Sequence, residues 1–251
     1  MLKYILLILI VLSILELIFY ITKKATMKKT EINEITSEIH SMNIKINAAD
    51  FIIVHGRNFL VESNIKNLSV SEKDGVLTVF DETKYAANYA KAIFKLWIPN
   101  YLVFENVDIT TGAGRLTADS LSANSLKLKL GAGKVELGEL NANSIADIVG
   151  GAGEITVSSG ALNNLTLSLG AGKLNMTAAL NGKSDLKFGV GQSDLTLIGN
   201  KNNYNLDIVK GIGSITVDER IASDIGSSLN GQHHISIKGG IGATNIGFKE
   251  K

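Results

Sequence analysis

Residues 126–137 read Leu126-Lys127-Leu128-Lys129-Leu130-Gly131-Ala132-Gly133-Lys134-Val135-Glu136-Leu137. Apolar and polar side chains alternate on both sides of the Gly-Ala-Gly, the period of a strand with one buried face. The inward positions three before and four after the first glycine, here Leu128 and Val135, lie seven residues apart. One uninterrupted strand needs an even separation, so the triplet must insert a bulge, corner or tight turn. Glycine suits that role because it reaches positive φ without steric penalty.

The triplet recurs at Gly112-Ala113-Gly114, Gly151-Ala152-Gly153, Gly170-Ala171-Gly172, Gly189-Val190-Gly191, Gly211-Ile212-Gly213 and Gly240-Ile241-Gly242. Counting Gly131-Ala132-Gly133, the intervals are 19, 20, 19, 19, 22 and 29 residues. Three before the first glycine stand Ile109, Leu128, Ile148, Leu167, Leu186, Ile208 and Ile237, all aliphatic. Six after it stand Ala118, Leu137, Val157, Met176, Leu195, Val217 and Ile246, all apolar. Polar turn pairs follow at Asn124-Ser125, Asn143-Ser144, Asn163-Asn164, Asn181-Gly182 and Asn202-Asn203. Each repeat therefore reads as strand, glycine corner, strand, polar turn.

Two architectures fit such a repeat. In an antiparallel meander each triplet closes a hairpin. In a β-solenoid each repeat is one coil, and equivalent residues stack in columns about 4.8 Å apart. Uniform columns favour stacking. So do the outward charges, which alternate in sign through Asp108, Lys127 and Asp147 and through Lys134, Glu154 and Lys173. The predicted class is all-β, a single-stranded β-solenoid with coils of about 20 residues. A degenerate copy precedes the array, with Asn47-Ala48-Ala49 in the glycine position and Met42, Ile44, Phe51 and Ile53 inward. Strands at Leu68–Ser71, Val76–Phe80 and Ile93–Ile98 complete an N-terminal region suited to capping the stack.

Composition explains what the glycines are not. The chain has 251 residues, of which 25 are glycine, one is proline (Pro99) and none is cysteine. Residues 112–242 hold 22 of the 25 glycines, so the excess belongs to the repeat and not to a linker. Without cysteine there is no disulfide framework, thiolate metal site or lipidated N-terminal cysteine. A formal net charge of +1 gives no reason to expect nucleic acid. Tyr4–Ile21 is apolar apart from Ser13 and Glu16, and as a helix would rise about 27 Å, close to the bilayer hydrocarbon. Bulky, then basic residues follow it, with no small-residue cleavage site, so a retained signal-anchor is expected. The expected plan is a transmembrane anchor at 1–22, a polar stalk at 23–41, a β capping region at 42–111 and the repeat array at 112–251. In the stalk, Ile32, Ile35 and Ile39 suggest a short amphipathic helix.

The run Phe94-Lys95-Leu96-Trp97-Ile98-Pro99, followed by Ile109-Thr110-Thr111-Gly112-Ala113-Gly114 and its copies, resembles the bacterial "putative adhesin" family of β-strand-repeat domains. The resemblance spans roughly residues 32–248. It implies a stacked β fold, one N-terminal membrane helix, a place at the cell envelope and non-enzymatic surface binding or scaffolding. Some members lie beside envelope-stress regulators. It brings no catalytic residues.

The triplets lack the third glycine of a dinucleotide fingerprint and precede strands, so they do not cradle phosphate and no cofactor is expected. His233-His234 would face opposite sides of a strand. Asp185 and Asp207 fall in one column, and as stacked neighbours about 5 Å apart they would resemble a retaining glycosidase pair. Tyr85 and Tyr89 form the candidate partner contact, because exposed aromatics favour interfaces. The partners expected are the cytoplasmic membrane through residues 4–21 and an unidentified protein or envelope polymer. Lys23, Lys24, Lys28 and Lys29 after the apolar run would hold the domain in the cytoplasm, whereas the resemblance points outward. The leading expectation is a membrane-anchored, extracytoplasmic, adhesin-like solenoid. Its alternatives are a cytoplasm-facing scaffold and a polysaccharide-active enzyme.

Overall fold

A computed structural model describes residues 31–35, 38–83, 92–222 and 231–250. Alternating sequence gives strands throughout. They are β1 (Glu31–Ile35), β2 (Ser41–Gly56), β3 (Phe59–Ser63), β4 (Leu68–Lys73), β5 (Val76–Asp81), β6 (Ile93–Pro99) and β7 (Val103–Asn163). There follow β8 (Leu165–Asn181), β9 (Lys183–Ile198), β10 (Tyr204–Val209), β11 (Ile212–Val217), β12 (Arg220–Ile221), β13 (His233–Lys238) and β14 (Ile241–Lys249). Successive coils pair in parallel: β2 with β7, β7 with β8 and β8 with β9. The fold is an all-β solenoid. No helix among the described residues is long and apolar enough to cross a membrane. The expected anchor at Tyr4–Ile21 lies outside them.

Residues with the same column number meet across coils. Ile44 stands beside Ile109, Ile148 beside Leu167, and Leu167 beside Leu186, each at most 1% exposed. The aliphatic ladder is therefore the core, and each coil contributes a slice of it. β7 runs through several coils without losing its sheet hydrogen bonds, because it bends where short residues allow.

Those bends number three per coil rather than the two read from sequence. Beyond the glycine corner and the asparagine turn, inward residues skip from Ala118 to Leu121 and from Leu137 to Leu140, all buried. Such odd steps mark corners at Asp119-Ser120 and Gly138-Glu139. In the coil that starts at Gly151 the register against the next coil shifts between Val157 and Ala161, and Gly160 takes φ +137° there. The asparagine turns are stitched between coils: Asn143 Nδ2 donates to Asn124 Oδ1 at 3.1 Å and Asn163 Nδ2 to the Asn143 carbonyl at 2.7 Å.

Both ends of the stack depart from chain order. At the C-terminal end β13 and β14 pair with β9 on one side and with β10 and β11 on the other. The last coil in sequence is thus inserted between the fifth and sixth triplets, and residues 204–217 form the outermost coil. At the N-terminal end β2 lies between β7 and a coil made of β5 and β6, although β5 and β6 come later in the chain. Antiparallel additions close these outer coils: β4 on β5, β3 on β6, β1 on β3 and β12 on β11. The amphipathic helix suggested by Ile32, Ile35 and Ile39 is replaced by strand β1, paired residue by residue from Glu31↔Ser63 to Ile35↔Phe59. Ile39 is buried in the core.

Leu167→Asp would bury an unpaired carboxylate in the middle of the ladder, a cost of several kcal/mol. Loss of the far-UV β signal or a steep drop in melting temperature is expected. Coil order is checked by paired cysteines in this cysteine-free chain. Asp185→Cys with Ser236→Cys should oxidise to a disulfide, because adjacent strands lie about 4.8 Å apart. Asp185→Cys with Asp207→Cys should remain reduced, as two spacings separate them.

Candidate binding surface

The molecule presents its chemistry as columns. At the glycine corner, a Cβ on Gly131 would strike the Gly112 carbonyl, and one on Gly240 the Gly189 carbonyl. The second glycine of each triplet adds a conformational demand, as at Gly133 with φ +137°. The corner thus runs through Gly112, Gly131, Gly151, Gly170, Gly189, Gly240 and Gly211. Gly114, Gly133, Gly153, Gly172, Gly191, Gly242 and Gly213 form a second line beside it. The first coil manages without glycine. There the Asn47 N–H donates to the buried carboxylate of Asp81 at 3.1 Å, while Asn47 Nδ2 donates to the carbonyls of Asp81 and Thr83.

The face after the corner carries a ladder of short polar groups. Lys134 Nζ lies 2.7 Å from Glu136 Oε1, and Arg115 lies 3.8 Å from the same carboxylate. The hydrogen bond from Lys134 holds the Glu136 carboxyl below its ordinary range. Further along, Asn175 Nδ2 donates to Glu154 Oε1 at 3.3 Å, Asn245 Nδ2 to Asp194 Oδ1 at 2.7 Å, and Thr216 Oγ1 to Asn245 Oδ1 at 2.9 Å. An open groove of about 450 Å³ crosses four coils of this face, from Ile52–Val54 through Thr117–Asp119 and Glu136–Gly138 to Thr156 and Ser158. Hydroxyls and carboxylates repeated at strand spacing can hydrogen-bond an extended, hydroxyl-rich chain.

The face before the corner does not carry the aspartate pair. Asp185 stands beside Ser236, and Ser236 beside Asp207, so the inserted coil separates the two carboxylates. The expected stacking of Asp185 on Asp207 is corrected by that insertion. Asp108 instead meets Lys127 at 3.9 Å. His233 accepts the Gly182 N–H at Nδ1, 3.1 Å away, and its ring lies 5.7 Å from the buried Tyr204. His234 is exposed and pairs with Asn205 at 3.2 Å. Among the described residues no group of three His, Asp or Glu could hold a metal. Tyr85 and Tyr89 fall outside the described residues.

One contact escaped the sequence reading. Ser120 Oγ and His55 Nε2 are 2.8 Å apart, a nucleophile-to-base distance, yet the same nitrogen also lies 3.2 Å from the Ser120 carbonyl. The pair bridges the third bend of two coils. Both residues stand eight after their own corner position, so the column numbering contained that signal.

Residues 15–246 match the model of a family described as Toastrack DUF4097. Solved structures of similar shape include a "putative adhesin" from Bacteroides fragilis, 13% identical, covering 87% of this chain and 97% of that one, with a TM-score of 0.49. A "putative adhesin" from Parabacteroides merdae is 14% identical over 89% and 94%, with a TM-score of 0.43. A "putative cell adhesion protein" from Clostridium sporogenes is 15% identical over 88% and 99%, with a TM-score of 0.35. No curated protein matches the sequence.

Gly133→Ala tests the corner. The added methyl meets the Gly114 backbone at a φ that L-residues avoid, so a loss of at least about 3 kcal/mol is expected in urea unfolding. Ala132→Ser, on the exposed middle residue, should stay within about 0.5 kcal/mol of the parent.

Proposed function

The chain belongs to the Toastrack DUF4097 family, and on that footing we propose that it is a non-enzymatic, adhesin-like solenoid held at the bacterial cell envelope. The observation that carries this reading is the polar ladder and open groove on the face after the glycine corner, which set a hydroxyl, amide or carboxylate at one position of coil after coil. Such a surface suits a repeating envelope polymer or a protein scaffold more than a small substrate. The separation of Asp185 from Asp207 removes the carboxylate pair on which the polysaccharide-hydrolysing alternative stood. The apolar run Tyr4–Ile21 supports attachment through a single-pass anchor. The domain lies outside the cytoplasmic membrane in this reading. The lysines after the apolar run favour a cytoplasm-facing scaffold instead, and that is the second reading.

Topology separates the two. Lys129→Cys places one thiol on an exposed position of the cysteine-free chain. An impermeant maleimide should label it in intact cells to the same extent as after lysis. Labelling only after lysis would establish the cytoplasm-facing reading. Binding is read separately, by co-sedimentation with isolated cell-wall polymer. Glu136→Gln together with Thr156→Val in the groove should abolish it, with the circular dichroism unchanged.

A further inference from the structure

The exposed middle residues of the triplets change character along the corner. In stack order they run Ala113, Ala132, Ala152, Ala171, Val190, Ile241 and Ile212. Val190 is 53% exposed, Ile241 53% and Ile212 75%. Alanine serves the corner on four coils, so the fold does not require branched aliphatic side chains there. Holding three of them in water on successive coils opposes the hydrophobic effect. Val209, 54% exposed, extends the same patch.

Charge adds a second observation. Two residues before the triplet, Lys187 and Lys238 stand directly beside each other on adjacent coils, both exposed. Like charges so placed weaken a sheet. Lys210 stands next to Gly211 on the outermost coil. No carboxylate occurs within two residues of these three triplets on either side; the flanks read Lys187-Phe188 and Gln192-Ser193, Gly239 after Lys238 and then Ala243-Thr244, Val209-Lys210 and Ser214-Ile215. The three coils therefore present an aliphatic ridge bordered by lysines, with Asp185 and Asp207 two residues farther from the corner.

We propose that this ridge docks on an anionic lipid bilayer, its valine and isoleucines entering the headgroup boundary while Lys187, Lys238 and Lys210 meet lipid phosphates. An anionic membrane satisfies both halves of the patch at once. A second copy of the chain would set the lysines of one ridge against those of the other, and a neutral polysaccharide has nothing to offer the isoleucines. The proposal goes beyond the envelope-binding reading and holds on either side of the membrane.

The test uses the full chain in vesicles, with a reporter that reads the ridge itself. Ser214→Cys, exposed and two residues from Ile212, carries a polarity-sensitive fluorophore. Lys134→Cys, in the same column toward the other end, is the control. Vesicles contain phosphatidylcholine alone or mixed with phosphatidylglycerol, and brominated acyl chains serve as quencher. Bromine should quench the label at 214 in anionic vesicles and leave the label at 134 unaffected. Lys187→Gln with Lys238→Gln should weaken docking about fivefold for each lysine removed. Ile212→Ser with Ile241→Ser should abolish it, with the circular dichroism unchanged. An unquenched label at 214 in anionic vesicles would overturn the proposal. So would equal quenching at 134 and 214, or energy transfer between copies at 214 without lipid quenching, which would identify a second copy as the occupant.

Discussion

Along one corner of this molecule a carbonyl oxygen lies where the next coil's β-carbon would be. Strands in a sheet stack about 4.8 Å apart, and a sharp bend turns the backbone of each coil toward the one before. The first glycine of a triplet accepts that approach, and the second supplies the positive φ that completes the bend. Once the corner is placed, the number of residues to the next corner is nearly fixed. Fixed coil length keeps aliphatic side chains in line, and the line is the core. Coil 42–53, which lacks glycine, shows how strong the constraint is: it recruits a buried carboxylate, Asp81, to hold the Asn47 amide instead.

The core was legible because it obeys two periods together, two along the strand and about twenty along the chain. Leu128, Ile148 and Leu167 could be assigned inward from either. Coil order was not legible, for a reason built into the repeat. Every coil offers a neighbour the same hydrogen-bonding edge and the same columns, so 240–242 fits beside 189–191 as well as beside 211–213. Only the long intervals of 22 and 29 residues hinted at an exchange. The third bend was hidden because it varies, Asp119-Ser120 in one coil and Gly138-Glu139 in the next. The segment 31–35 misled because isoleucines three apart suit a helix, while five residues beside β3 gain more from sheet pairing.

The candidate surface was legible in part. Column numbering identified which polar groups face outward and which lie beside one another, as with Asp108 and Lys127. It could not show that Thr117, Glu136 and Thr156 border a groove, because a groove depends on how coils bend away from each other. It also paired Asp185 with Asp207, since both occupy one column. Adjacency in a solenoid is a property of the stack, and here the stack and the chain disagree.

That disagreement has a mechanical consequence. In a simple solenoid the chain ends are the outermost coils, and a pull on either end peels one strand at a time from an exposed edge. Here the paired coils nearest each end, β2 and β13–β14, are gripped on both sides by later or earlier coils. Tension on the chain would strip β1 and then load β2 along two ladders of hydrogen bonds at once, in shear. Under tension on either end of the chain, that arrangement places resistance where force enters.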